Sequence, residues 1–141
     1  MSARIDAQLA FLMEADRLKA VNRASRIADG SRFENSAEHS WHVALFALTL
    51  AEHAPDGTDT ARAIKMLLLH DLVEIDAGDA PIFGDSDAVA MAAKEAAAAE
   101  RLFGLLPPDQ ARDFRALWDE FEANETPTAR YAKSLDRFVP P

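Results

Sequence analysis

The sequence predicts an all-α domain. Three observations carry that reading. Apolar residues recur at helical spacing, as in Phe114, Leu117, Trp118 and Phe121. Helix-entry signals precede the apolar runs: Asn35 stands three residues ahead of Glu38, and Thr126 precedes Pro127. No stretch shows the apolar–polar alternation of a half-buried strand.

The elements follow in order. Residues 4–22 place Ile5, Leu9, Leu12, Met13, Leu18 and Val21 on a roughly helical stripe. Asn22 to Phe33 holds several arginines and Asp29-Gly30 but no periodicity, and reads as a loop. Asn35 caps the second helix, and Glu38 completes a capping box. That helix runs through Val43, Leu45, Phe46 and Leu50 to about His53. Pro55-Asp56-Gly57 makes a turn. Thr58 or Asp59 caps a third helix that ends near Ile75. Residues 78–84, with Pro81 among them, form a loop. The Ala-rich run from about Asp87 to Gly104 has high helix propensity, and its alanines fit either close packing or an exposed stretch. Pro107-Pro108 opens another helix, and the last begins at Pro127 and carries Tyr131, Leu135 and Asp136.

Composition narrows the function. At 141 residues the chain is expected to be one domain, 1–141, with a sizeable core. It has no cysteine, so disulfide and thiolate chemistry are excluded and a cytoplasmic location is expected. Arg4, Asp6, Glu14, Asp16 and Arg17 interrupt the first twenty residues, which form neither a signal peptide nor a membrane span. A net charge of −9 repels a nucleic-acid backbone, so a polymeric nucleic acid is not an expected partner. A small anionic substrate in a local cationic pocket is compatible with it.

The stretch from Leu67 to Asp79 is the chemical centre. His70-Asp71 interrupts a run of leucines. Burying an unpaired carboxylate there costs several kcal/mol, so Asp71 needs a partner, and a metal ion is one candidate. Imidazole plus carboxylate suits Mn, Fe, Co or Zn. Glu74 follows His70 by four residues, one helical turn along, where a carboxylate can act as general acid or base on a metal-bound water.

These residues carry a resemblance. The dyad, with a His far upstream and an Asp far downstream, resembles the HD superfamily of metal-dependent phosphohydrolases. Glu34-Asn35-Ser36-Ala37-Glu38-His39-Ser40-Trp41-His42-Val43-Ala44 resembles a segment of the YfbR-like 5′-deoxynucleotidases. So do His70-Asp71-Leu72-Val73-Glu74 with Gly78-Asp79, and Ser134-Leu135-Asp136-Arg137. The resemblance implies an HD-domain helical bundle and hydrolysis of a (deoxy)nucleoside 5′-monophosphate. It implies one divalent transition metal (Mn, Co, Fe or Zn) on His39, His70, Asp71 and Asp136. It also implies Glu74 as the catalytic acid or base, Arg23 on the phosphate, Asp79 on the sugar, and a homodimer. The family pattern normally continues beyond the position of Pro141, so the C-terminus is expected to be shortened.

Other residues are read more plainly. His42 is placed behind the site or in the core, and His53 at a solvated helix end. Asp76 and Asp85 are read as solvated, and Trp41 and Trp118 as core or interface aromatics. The loop Ile82-Phe83-Gly84 follows the site, where it could cover a substrate. No histidine follows His70, whereas HD proteins with two metals need further downstream histidines, so the resemblance implies one metal rather than two. Arg26 and Arg32 accompany Arg23 as possible phosphate contacts or surface charges.

The chain departs from the family at one point. Ala24 follows Arg23 where the characterised pattern has Trp, so the resemblance does not carry a preference for deoxyribose over ribose. Two alternatives stand beside the nucleotidase reading. One is an HD phosphatase or phosphodiesterase on another small phosphate ester. The other is a non-catalytic, metal-stabilised helical binding module, which would need neither Glu74 nor Arg23.

Overall fold

The computed structural model describes residues 2–78 and 85–138. Its helices are α1 (Ala3–Ala15), α2 (Ser36–Thr49), α3 (Thr60–Leu69), α4 (Glu74–Ala77), α5 (Asp85–Phe103), α6 (Pro108–Ala123) and α7 (Pro127–Phe138). The all-α expectation holds, with one small addition. Asn22–Arg26 (β1) and Phe33–Asn35 (β2) pair as an antiparallel ribbon within the segment expected to be a loop.

The capping residues act locally. The Asn35 side chain accepts from the Glu38 amide at 2.9 Å, as a helix N-cap does. The return bond differs from a full capping box. The Glu38 carboxylate accepts from the Asn35 side-chain amide, while the next amide, Ser36, donates to the Val21 carbonyl. Asp59, rather than Thr58, caps α3 by accepting from the Arg62 amide. Thr126 accepts from the Ala129 amide at the start of α7.

Two helices end earlier than their apolar patterns do. α1 gives way to a 3-10 turn over Asp16–Ala20, which still buries Leu18. α3 stops at Leu69, and Glu74 opens a separate short helix instead of continuing the same one. The cause lies in His70. Its Nδ1 bonds the Leu67 carbonyl at 2.6 Å, taking the acceptor that a continuing helix would offer to the Asp71 amide. Tighter i→i+3 bonds then carry the chain through Glu74 and Ile75. Gly78 closes α4 at φ +79°, a conformation that disfavours any residue with a Cβ.

α3 is the central post, packed against α2, α6 and α7. Met66 and Leu67 on α3 are fully buried, and Val43, Phe121 and Leu135 come to them from the surrounding helices. The Tyr131 hydroxyl donates to the Ala47 carbonyl at 3.0 Å, fixing α7 to α2. The Ala-rich helix α5 resolves both options left open for it. Ala98 and Ala99 are buried beside Leu102 and Phe103, whereas residues 87–90 are exposed. Asp76 is not merely solvated: it pairs with Arg101 at 2.6 Å, and Arg101 also reaches Glu14 at 2.7 Å, tying α4, α5 and α1. Asp79, residues 80–84 and the Asp85 side chain lie outside the described residues.

Candidate metal centre

Three segments of the bundle meet at one point. His39 comes from the second turn of α2, His70 from the end of α3, and Asp136 from the last turn of α7. One ligating atom from each lies within 4.8 Å of the other two. Asp136 Oδ1 is 2.7 Å from His39 Nε2 and 3.2 Å from His70 Nε2. Asp71 adds a fourth group, with Oδ1 3.2 Å from His70 Nε2. His39 and His70 are buried, and the two carboxylates lie only partly exposed at the rim.

The electrostatics follow from that packing. Burial pulls the His70 imidazolium down, but the charges of Asp71 and Asp136, the Asp136 hydrogen bond and the Leu67 carbonyl outweigh it. The result is a pKa pushed up to about 9. Burial alone would raise the Asp136 carboxyl. Hydrogen bonds from both histidines and their charges hold it well below the usual carboxylate range.

The donor set fits a divalent ion. His70 Nδ1 is committed to a backbone carbonyl, which directs Nε2 to the cluster. Two imidazole nitrogens and a carboxylate oxygen within 4.8 Å of one another would suit a divalent transition ion. Among the described residues Asp71 Oδ2 is buried with no hydrogen-bond partner, which an electropositive neighbour would relieve.

The other expected residues divide clearly. Arg23 is largely buried on β1, with Nη1 3.9 Å from Asp71 Oδ2 and Nε 3.3 Å from Glu34 Oε1. Arg26 and Arg32 point elsewhere: Arg26 covers the Phe33 ring at 4.4 Å, and Arg32 pairs with Glu38 at 2.8 Å. Glu74 accepts a 2.6 Å hydrogen bond from the Ser36 hydroxyl, across from α4 to the start of α2. His42 makes its ring contacts along α2. Its ring stacks on Trp41 and meets Phe46 edge-on, and Phe46 in turn meets Phe138. His53 is exposed near Glu52. Trp118 is a core residue, whereas Trp41 is 62% exposed. Sequence reasoning assigned no role to Ser36 or Glu34. Both lie within the motif around His39, but only the ribbon and the α4 turn reveal what they touch.

A bundle that brings two histidines and the Asp136 carboxylate to one point, with Asp71 against His70, offers the donors of a metal centre. The chain belongs to the HD domain family, whose pattern matches residues 15–141. Among solved structures it is similar to a predicted metal-dependent phosphohydrolase from Magnetospirillum magnetotacticum MS-1. That similarity is 49% identity at a TM-score of 0.91, covering 99% of this chain and 71% of the other. A protein from Pyrococcus horikoshii OT3 superposes at a TM-score of 0.69 with 26% identity, covering 92% of this chain and 72% of that one. Curated relatives include the 5′-deoxynucleotidase HDDC2 of Homo sapiens, 26% identical over 92% of this chain and 62% of its own length. The 5′-deoxynucleotidase of Yersinia pestis (strain Pestoides F) is 34% identical over 82% of this chain and 62% of its own length. The chain therefore spans just over three-fifths of these curated relatives.

Proposed function

We propose that the protein is a metal-dependent phosphomonoester hydrolase acting on (deoxy)nucleoside 5′-monophosphates. The observation that carries this reading is the cluster of His39, His70 and Asp136, with Asp71 against His70 and Arg23 beside Asp71. Those four residues would hold one ion, with Mn, Co, Fe and Zn all compatible with the donors. When bound, the ion supplies positive charge for the phosphate and lowers the pKa of a water. Arg23 orients the phosphate through its guanidinium and offsets charge as it develops. Glu74, aimed by the Ser36 hydroxyl, carries the proton to the leaving 5′-oxygen or takes it from the attacking water. Asp79, outside the described residues, holds the sugar hydroxyl by analogy with the family.

The names of the curated relatives support the nucleotide as substrate. Ala24 beside Arg23 supports a second reading, a broader phosphatase without sugar discrimination. A panel of deoxynucleotides, ribonucleotides and simple phosphate esters separates the two. Glu74→Ala tests the mechanism, with turnover expected to fall about a hundred- to ten-thousand-fold while the metal is retained. Wild-type turnover in that variant would remove Glu74 from the chemistry.

We also infer a homodimer. Trp41, Leu45 and Leu48 form an exposed, uncharged face on α2, extended by Phe138. In a chain of net charge −9, such a face is where a second copy meets least repulsion. Light scattering at micromolar concentration checks it. Cytoplasmic residence is inferred from the cysteine-free composition. Among the described residues no helix is long and apolar enough to cross a membrane.

A further inference from the structure

We propose that Glu34 is a positioning residue that couples the phosphate clamp to the metal centre through a single carboxylate oxygen. The inference rests on the roles proposed above for Arg23 and His39. Glu34 Oε1 lies 3.3 Å from Arg23 Nε and 3.5 Å from His39 Nδ1. The three side chains are only 13%, 15% and 1% exposed. Among the described residues, Arg23 Nε and His39 Nδ1 are both buried with no hydrogen-bond partner, and this oxygen is the acceptor toward which both converge.

The ribbon explains the placement. Asn22 pairs with Asn35 and Arg26 with Phe33, with a register irregularity between them, and Arg23 and Glu34 both fall within that short paired stretch. One residue after Glu34, Asn35 caps α2, and His39 follows one turn along on that helix. Glu34 thus stands where a two-stranded clamp and a ligand-bearing helix join.

The chemistry follows from the two nitrogens. A carboxylate facing His39 Nδ1 favours the proton there, the tautomer in which Nε2 would ligate an ion in place of its hydrogen bond to Asp136. The same carboxylate neutralises part of Arg23 and fixes its rotation, so Nη1 stays near Asp71. Removing Glu34 should loosen both ends, and the two losses can be read separately.

The experiment uses the full chain, stripped of metal and titrated with Mn in the absence of substrate, followed by nucleotide kinetics at saturating Mn. For Glu34→Ala, the Mn dissociation constant is expected to rise about ten- to a hundredfold, the range found when an outer partner that orients a ligand is removed. KM for a deoxynucleoside monophosphate is expected to rise as well. Glu34→Gln keeps an acceptor for His39 Nδ1 but loses the charge opposite Arg23. It should recover most of the Mn affinity while KM stays raised. Circular dichroism and thermal melting confirm that each variant is folded. Mn affinity within twofold of wild type in folded Glu34→Ala would overturn the proposal. So would equal recovery of KM and Mn affinity in Glu34→Gln, or failure of the wild type to bind Mn. If the wild type releases phosphate from no nucleotide but Glu34→Ala still weakens Mn, the positioning role stands and the hydrolase reading falls.

Discussion

Ser36→Ala is the most discriminating single substitution outside the proposed ligands. Ser36 is fully buried at the first turn of α2, and its hydroxyl donates to Glu74 Oε2 at 2.6 Å. The acceptor is a carboxylate, and hydrogen bonds to charged groups contribute about 1.5–3 kcal/mol net. Where that energy serves to aim Glu74 in the transition state, its loss lowers turnover about ten- to 150-fold. The substitution removes one oxygen and leaves the helix cap at Asn35 in place, so the fold should persist. The assay is phosphate release from deoxynucleotides at saturating metal, with metal content and thermal unfolding measured alongside. The double variant with Glu74→Ala supplies the control. A residue acting only through Glu74 adds nothing once Glu74 is gone. Wild-type turnover in Ser36→Ala, or a further large loss in the double variant, would refute the reasoning.

Arg23→Lys should raise KM for the nucleotide more than Arg26→Lys, because Lys keeps the charge but not the planar pair of donors. Equal effects would place the phosphate elsewhere, since Arg26 is occupied with the Phe33 ring. The His70 proton gives a second test. Its folded pKa is raised from 6.5 to about 9, so its contribution to the metal-stripped protein is fully present below about pH 6.5 and is lost as pH rises through about 9. Thermal melts in chelator should therefore show falling stability over that window, while metal affinity rises as the competing proton leaves. A stability that climbs between pH 6.5 and 9 would contradict the assignment of that proton.

Local signals were the legible ones. Asn35, Asp59 and Thr126 each cap a helix through a residue three positions ahead, which sequence spacing can show. His39, His70, Asp71 and Asp136 were readable as a set only through the family resemblance, because their separations along the chain fix no geometry. The break after Leu69 was hidden, since leucines continue the apolar pattern and only the His70 ring diverts the Leu67 carbonyl. The ribbon was hidden for a different reason. Its strands are five and three residues long and rich in Arg, Ser and Asn, so no apolar alternation announces them. Without the ribbon's register, Glu34 was one acidic residue among many. Ser36 was equally silent, because its partner is 38 positions away across an α4 turn the sequence did not show.

The central claim is that bound metal and phosphate release belong to one site. It is tested most directly by titrating metal-stripped protein with Mn and following nucleotide hydrolysis at each increment. The account predicts activity that rises in proportion to occupancy and saturates at one Mn per chain. Hydrolysis that is already complete in stripped protein, or one tightly bound Mn with no phosphate released from any ester in the panel, would contradict it.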